Sequence, residues 1–263
     1  MRRVIKEAIR TALPRGTCRH QIIAGPLRGA RIYTSWHDYP GAILGTTERK
    51  LLRWFQTNVR AGETWLDIGA HYGYTAIALS RLVGPAGRVF AFEPVRATAE
   101  ALVRTRAANA LEQLTVVPMA LNDQPRSSAI RVPSIRGMAD STLIARGSDE
   151  TISAVSLDAC WPELADRDAR IDGVKIDVQG MELQVLSGMQ RLLTAWAPKL
   201  IIEFHHGVDR TLVLDLLVTA GYSNSYQAID GDRPGLADDN SYFFEPNPSE
   251  CASWSTRSIT GRS

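Results

Sequence analysis

Long apolar runs are missing from this chain of 263 residues. No window reaches 18 consecutive apolar residues, which argues against a transmembrane helix and an integral membrane protein. Cysteine is scarce. Cys18, Cys160 and Cys251 are odd in number, far apart and without metal-ligand spacing, which excludes a disulfide scaffold and suits a reducing, cytoplasmic compartment. Neither sign of charge dominates: 30 basic and 28 acidic residues leave a formal +2, too little to argue for nucleic acid or an acidic membrane as partner. Lysine is the rare cation, 4 residues against 26 arginines, an imbalance that reads as composition bias more than as a phosphate-binding surface. Two phosphate signatures are absent as well. The chain has neither G-x-G-x-x-G nor G-x-x-x-x-G-K-[ST], so no site is built for a pyrophosphate or triphosphate.

What is present reads as an ordinary globular protein, 44% hydrophobic and 22% charged. "MRRVIKEAIRTAL" places apolar residues at helical spacing and predicts an N-terminal helix packed on its own domain. Residues 14–45 are rich in Gly, Pro and aromatics and predict short extended pieces and turns. "TTERKLLRWFQTNV" predicts a helix with Leu51, Leu52, Trp54, Phe55 and Val59 on one stripe and Thr46 or Thr47 as cap. From Thr64 strands and helices alternate: a strand over 64–68, a helix near 73–83, "RVFAFEP", a helix over 95–108, and "LTVVPMAL". That alternation is the signature of parallel βαβ units with both sheet faces covered. It breaks at Asn122, where residues 123–150 predict an insertion, a hairpin plus loop. Alternation resumes with "TISAVSLDAC", then "GVKIDV", a helix over 181–194, "KLIIEF" and a helix ending at Gly221. "SYQAI" and "SYFFEP" predict an antiparallel edge. The expected organisation is an N-terminal cap over 1–60, one doubly wound α/β domain over 61–245, and a polar, disordered tail over 246–263.

The informative stretch is "TWLDIGAHYGYTAIALSRL", a strand running straight into a glycine turn and a helix. Ligands of open parallel sheets bind outside the carboxyl ends of the strands, so a cofactor is expected here. Asp67 ends the strand, where an acid would face an amino group. Gly69 and Gly73 flank Ala70, His71 and Tyr72, and Gly69 lets a ligand lie against the backbone. Glu93 ends the second strand, placed to accept both hydroxyls of a ribose. An amino acid joined to a nucleoside with no phosphate between fits all of this. S-adenosylmethionine is that molecule.

"WLDIGAHYGYTAIAL", "VFAFEP", "SLDA", "GVKIDVQGMELQVLSGM" and "PKLIIEFH", in that order, resemble the FkbM-type S-adenosylmethionine-dependent methyltransferases over residues 40–245. The resemblance implies the class I methyltransferase (Rossmann-like) fold, a seven-stranded sheet with its last strand antiparallel, and O-methylation of sugar or natural-product hydroxyls. It places Asp67, Gly69, Ala70 and Gly73 at the methionine part, Glu93 at the ribose, Met119 and Ala120 beside the adenine, and Asp177 at the methyl-transfer site. Two positions depart from the family pattern. His71 stands where an asparagine is usual and keeps a polar group at the cofactor turn. Gln179 stands where an acid is usual and removes a base or metal ligand, while Glu182 is retained.

An alcohol acceptor must lose a proton as it is methylated, and a positioned base contributes about 10²–10⁴-fold. Asp177, Glu203 and His205 are the catalytic candidates at the strand ends, with His206 read as solvated. A Mg²⁺ bridging two carboxylates and a substrate diol is chemically reasonable, but Gln179 and the lack of a clustered third acid argue against a required metal. The insertion and residues 30–45, with His37 and Asp38, are expected to select the acceptor: a sugar, glycoside or polyketide-like molecule. The alternatives are a non-catalytic adenosylmethionine sensor or partner module, favoured by Gln179, and an N- or C-methyltransferase of the same fold. A nicotinamide oxidoreductase is disfavoured by the missing third glycine.

Overall fold

The computed structural model describes residues 13–124, 128–135, 138–139, 149–165, 169–229 and 235–247, with the backbone alone for the segments between 128 and 151. The helix expected in "MRRVIKEAIRTAL" and the tail expected over 246–263 lie outside the described residues except at Leu13, Pro246 and Asn247, as does most of the insertion's "GMADSTL", residues 137–143. Among the described residues no helix is long and apolar enough to cross a membrane.

The described residues open with an antiparallel ribbon of β1 (Cys18–Gln21) and β2 (Arg31–Thr34), then α1 (Pro40–Leu44) and α2 (Arg49–Asn58). Helix α2 buries Leu51, Leu52 and Phe55. Its N-cap is Glu48, in a left-handed conformation without a side-chain capping bond, and neither Thr46 nor Thr47 takes that place. Then come β3 (Thr64–Ile68), α3 (Tyr74–Val83), β4 (Arg88–Phe92), α4 (Arg96–Ala108), β5 (Leu114–Val117) and β6 (Ala120–Leu121). The insertion carries β7 (Ser128–Ile135), β8 (Met138–Ala139) and β9 (Asp149–Val155). The remainder is α5 (Leu157–Leu164), β10 (Gly173–Ile176), α6 (Glu182–Ser187), α7 (Gln190–Trp196), β11 (Lys199–Phe204), α8 (Arg210–Thr219), β12 (Tyr222–Ala228) and β13 (Asn240–Pro246).

Seven strands form the central sheet in the order β12-β13-β11-β10-β3-β4-β5. Only β13, the last in sequence, runs antiparallel to its neighbours. The order explains the sequence pattern. Strands β3, β4 and β10 are buried almost throughout, because helices cover both faces of the sheet. The chain leaves β3 toward β4 and β5 on one side and comes back to β10 and β11 on the other. The crevice between β3 and β10 is therefore the topological switch point.

Two expectations need correcting. "TISAV" does not resume the main alternation. Its strand, β9, lies in a separate four-stranded sheet of order β6-β9-β7-β8, antiparallel to β7 and parallel to β6. The helix expected over 181–194 is two helices, α6 and α7, parted at Gly188. A Cβ on Gly188 would stand 1.8 Å from the Asn122 carbonyl oxygen, so the root of the insertion presses on the backbone there. The second helix takes its cap from elsewhere: the Asp158 carboxylate accepts from the backbone N–H groups of Arg191 and Leu192. Gly188→Ala is expected to destabilise the protein by about 2–3 kcal/mol, because a backbone carbonyl cannot swing away as a side chain would. Its urea midpoint against that of wild type measures this.

Candidate active site

A cavity of about 290 Å³ opens over the carboxyl ends of β3, β4, β5, β10 and β11. Its floor begins at the turn after β3. The backbone N–H groups of Gly69 and Ala70 donate to the Phe92 carbonyl, and that of Asp177 donates to the Ile68 carbonyl, which draws three strand ends together. Gly69 has φ +81, and a Cβ there would lie 1.8 Å from the Asp177 carbonyl oxygen. What lies against this glycine is thus the chain's own backbone. Gly73 is required for another reason: at φ +90 its Cβ would strike Leu102 of α4 at 2.2 Å.

On the β4 side the cavity is lined by Ala70, His71, Glu93, Met119 and Ala120, five of the residues read as cofactor-binding. Glu93 is nearly buried, and its carboxylate accepts from the backbone N–H groups of His71 (3.0 Å) and Val95 (2.9 Å). Burial pushes its pKa up to about 8, against the two N–H groups that favour the charge. A carboxylate has about four lone-pair sites, so two remain for a ligand. Asp67 and Gly73, also expected at the donor, do not line the cavity. Asp67 is fully buried behind the wall. Its carboxylate accepts from the Thr75 hydroxyl at 2.7 Å and faces an internal ammonium, that of Lys175, at 3.4 Å.

That lysine is the main residue the sequence reading passed over. Register places it opposite Asp67 on β10. Its Nζ lies 3.1 Å from Asp177 Oδ2 and 3.4 Å from the Gly69 carbonyl. Burial opposes its charge, but the Asp177 and Asp67 carboxylates outweigh this and hold the ammonium well above its ordinary pKa. A signal was available: a lysine within an otherwise apolar buried strand is almost never unpaired.

Past Lys175 the cavity is lined by Asp177, Gln179 and Glu203. His205, buried, stands behind them, with Nε2 at 3.6 Å from Asp177 Oδ1 and 3.7 Å from Glu203 Oε1. Its Nδ1 lies 2.8 Å from Oε1 of Glu182, a fully buried carboxylate. Gln179 Nε2 is 2.8 Å from His205 Nε2 and 3.4 Å from Asp177 Oδ1. The three catalytic candidates therefore converge, and Glu182 fixes the ring. The charges are uneven. Burial works against a charged Asp177, but Lys175 and His205 hold its carboxyl below the usual value. The Asp177 charge, followed by burial, pushes Glu203 up to about 8. Burial opposes an imidazolium at 205, yet the Glu182 bond and the nearby acids lift it to about 9. His206 is exposed, as expected, and faces Asp238.

The N-terminal segment closes one side through Asp38, Tyr39 and Glu48. Asp38 accepts from the hydroxyls of Ser35 (2.6 Å) and Tyr72 (3.2 Å) and pairs with His37. Tyr39 packs on the His71 ring at 4.9 Å. Glu48 gave no sequence signal. Six non-glycine residues among those described have positive φ, and three of them (Glu48, His71 and Gln179) line this one cavity. Backbone in this sparsely populated region concentrates at functional sites.

An open seven-stranded sheet with only its last strand reversed, and a cavity over its switch point, is the class I methyltransferase (Rossmann-like) fold. The family model for the methyltransferase FkbM domain matches residues 67–230, well over half of the chain, and the protein belongs to that family. No curated protein sequence matches it. Among solved structures, methyltransferase FkbM from Methylobacillus flagellatus KT is 20% identical at a TM-score of 0.48, covering 73% of this chain but only half of its own. Fibrillarin from Aeropyrum pernix, bound to S-adenosyl-L-methionine, is 12% identical with a TM-score of 0.48 and 88% coverage of both chains. The O-methyltransferase TomG from Streptomyces achromogenes, involved in tomaymycin synthesis, is 17% identical with a TM-score of 0.46, covering 75% of this chain and 78% of its own.

Proposed function

We propose that the protein transfers the methyl group of S-adenosylmethionine to a hydroxyl of a sugar, glycoside or natural-product small molecule, in the cytoplasm. One observation carries this reading: a single cavity joins the wall that holds Glu93, over β4, to the acids Asp177 and Glu203 at the ends of β10 and β11, with His205 behind them. The ribose hydroxyls donate to Glu93, the adenine lies toward Met119 and Ala120, and the methionine part follows Gly69 to His71. The sulfonium then points to Asp177 and Glu203. Transfer is an in-line displacement. The acceptor oxygen forms a bond to the methyl carbon as the S–C bond breaks, its electron pair neutralising the sulfonium, and the hydroxyl proton passes to the acid–imidazole wall. The protein's task is alignment and exclusion of water.

Release of adenosylhomocysteine across a panel of hydroxyl, amine and thiol acceptors tests this. Turnover on a hydroxyl acceptor is expected, and Asp177→Asn should lower it by about 10²–10⁴-fold. Methylation of amines alone, or donor binding without turnover on any acceptor, would overturn the reading.

A further inference from the structure

We propose that Asp177, Glu203 and His205 form a binding site for one hard divalent cation of the Mg²⁺/Mn²⁺ class. The proposal rests on the reading of the site as an acceptor pocket and names what would hold the acceptor oxygen there. The sequence argued against a metal because no third acid clusters with Asp177 and Glu203. The fold supplies an imidazole in that place.

Three observations carry it. One ligand atom from each residue lies within 4.8 Å of the other two. The separations of His205 Nε2 from Asp177 Oδ1 and Glu203 Oε1, 3.6 and 3.7 Å, are too long for hydrogen bonds. They exceed by about 0.6–0.7 Å the roughly 3.0 Å spacing of neighbouring ligands about one octahedral cation, so the side chains would draw in around the ion. Next, the imidazole is held as metal-binding histidines are: its far nitrogen bonds to a fully buried carboxylate, Glu182, at 2.8 Å, which turns Nε2 toward the two acids. Lastly, the two oxygens of Asp177 are divided. Oδ2 faces the Lys175 ammonium at 3.1 Å, while Oδ1 is the atom turned to His205. The lysine thus leaves the cation-facing oxygen open. Gln179 already places an amide nitrogen 2.8 Å from Nε2 and 3.4 Å from Oδ1, a polarised N–H where positive charge belongs. Turned about its last bond, that amide offers Oε1 as a fourth ligand. Two carboxylates and one imidazole suit Mn²⁺ and Mg²⁺ better than thiophilic ions. Asp177 and Glu203 line the cavity, so an acceptor hydroxyl or diol could complete the shell.

The test is a Mn²⁺ titration of the full chain, stripped with chelator, followed by the loss of the free-ion EPR signal with neither donor nor acceptor present. One Mn²⁺ per chain is expected, with at least tenfold weaker binding in His205→Ala and Glu203→Gln. Glu182→Gln, which leaves all three ligands in place, should weaken binding about tenfold by weakening the bond that orients the ring. Circular dichroism confirms that each variant is folded, and should His205→Ala fail to fold, Glu182→Gln decides. No stoichiometric binding by wild type, or equal affinity in Glu203→Gln, overturns the proposal. The methyl-transfer reading fails separately: Mn²⁺ binding with no turnover on any hydroxyl sinks that reading and leaves the site, whereas full turnover in chelator without Mn²⁺ binding sinks the site alone.

Discussion

Glu93→Ala is expected to weaken adenosylmethionine binding by on the order of 100-fold or more, measured by calorimetry. Each charge-assisted bond to a ribose hydroxyl is worth about 1.5–3 kcal/mol, and in the proposed function one carboxylate accepts from both hydroxyls. The same group predicts a pH dependence with a defined sign. In the free protein burial raises the Glu93 pKa to about 8, so at neutral pH its carboxyl is mostly protonated and is a poorer acceptor. Donor binding selects the ionised form. Affinity should therefore rise with pH, up to about tenfold per unit below pH 8, and level off above it. Glu93→Gln should remove that slope while leaving any titration of the ligand itself, which is common to both proteins. An unchanged slope in Glu93→Gln would place the ribose elsewhere.

Lys175→Met carries the largest expected loss of stability. The ammonium is 3% exposed and lies between Asp67, itself fully buried, and Asp177. Removing one partner from a buried ion pair typically costs about 3–5 kcal/mol, because the other charge stays buried without compensation. Methionine matches the lysine stem in length, so lost packing contributes little. Urea denaturation should show the loss, and Lys175→Met with Asp67→Asn should restore part of it, since the second change removes the stranded charge. A single variant within 1 kcal/mol of wild type would show that the pair does not hold the sheet's centre together.

The βαβ frame could be read directly because apolar strands and glycine turns state it locally: "TWLDIGAHYG" and "VFAFEP" lie in β3 and β4 and the turns that follow. The side sheet could not. "TISAV" has the same period as a core strand, and only its pairing with β7 removes it from the central sheet. Gly188 interrupts a helical pattern through contact with a residue 66 positions earlier, Asn122, which no local window contains. At the site, strand-end acids were legible by position. Asp67 was misplaced because its partner is set by register across β10, and the roles of Glu182 and Glu48 depend on tertiary distance and a positive φ.

The lysine at the centre of the sheet also bears on motion. One ammonium binds the carbonyl of Gly69 and the carboxylates of Asp67 and Asp177, so the ends of β3 and β10 beneath the cavity are tied to one another. Sliding one strand end past the next would strand buried charge. Any rearrangement that admits a ligand is therefore expected at the segment carrying Tyr39 and Glu48, which closes one side of the cavity, and not at these strand ends.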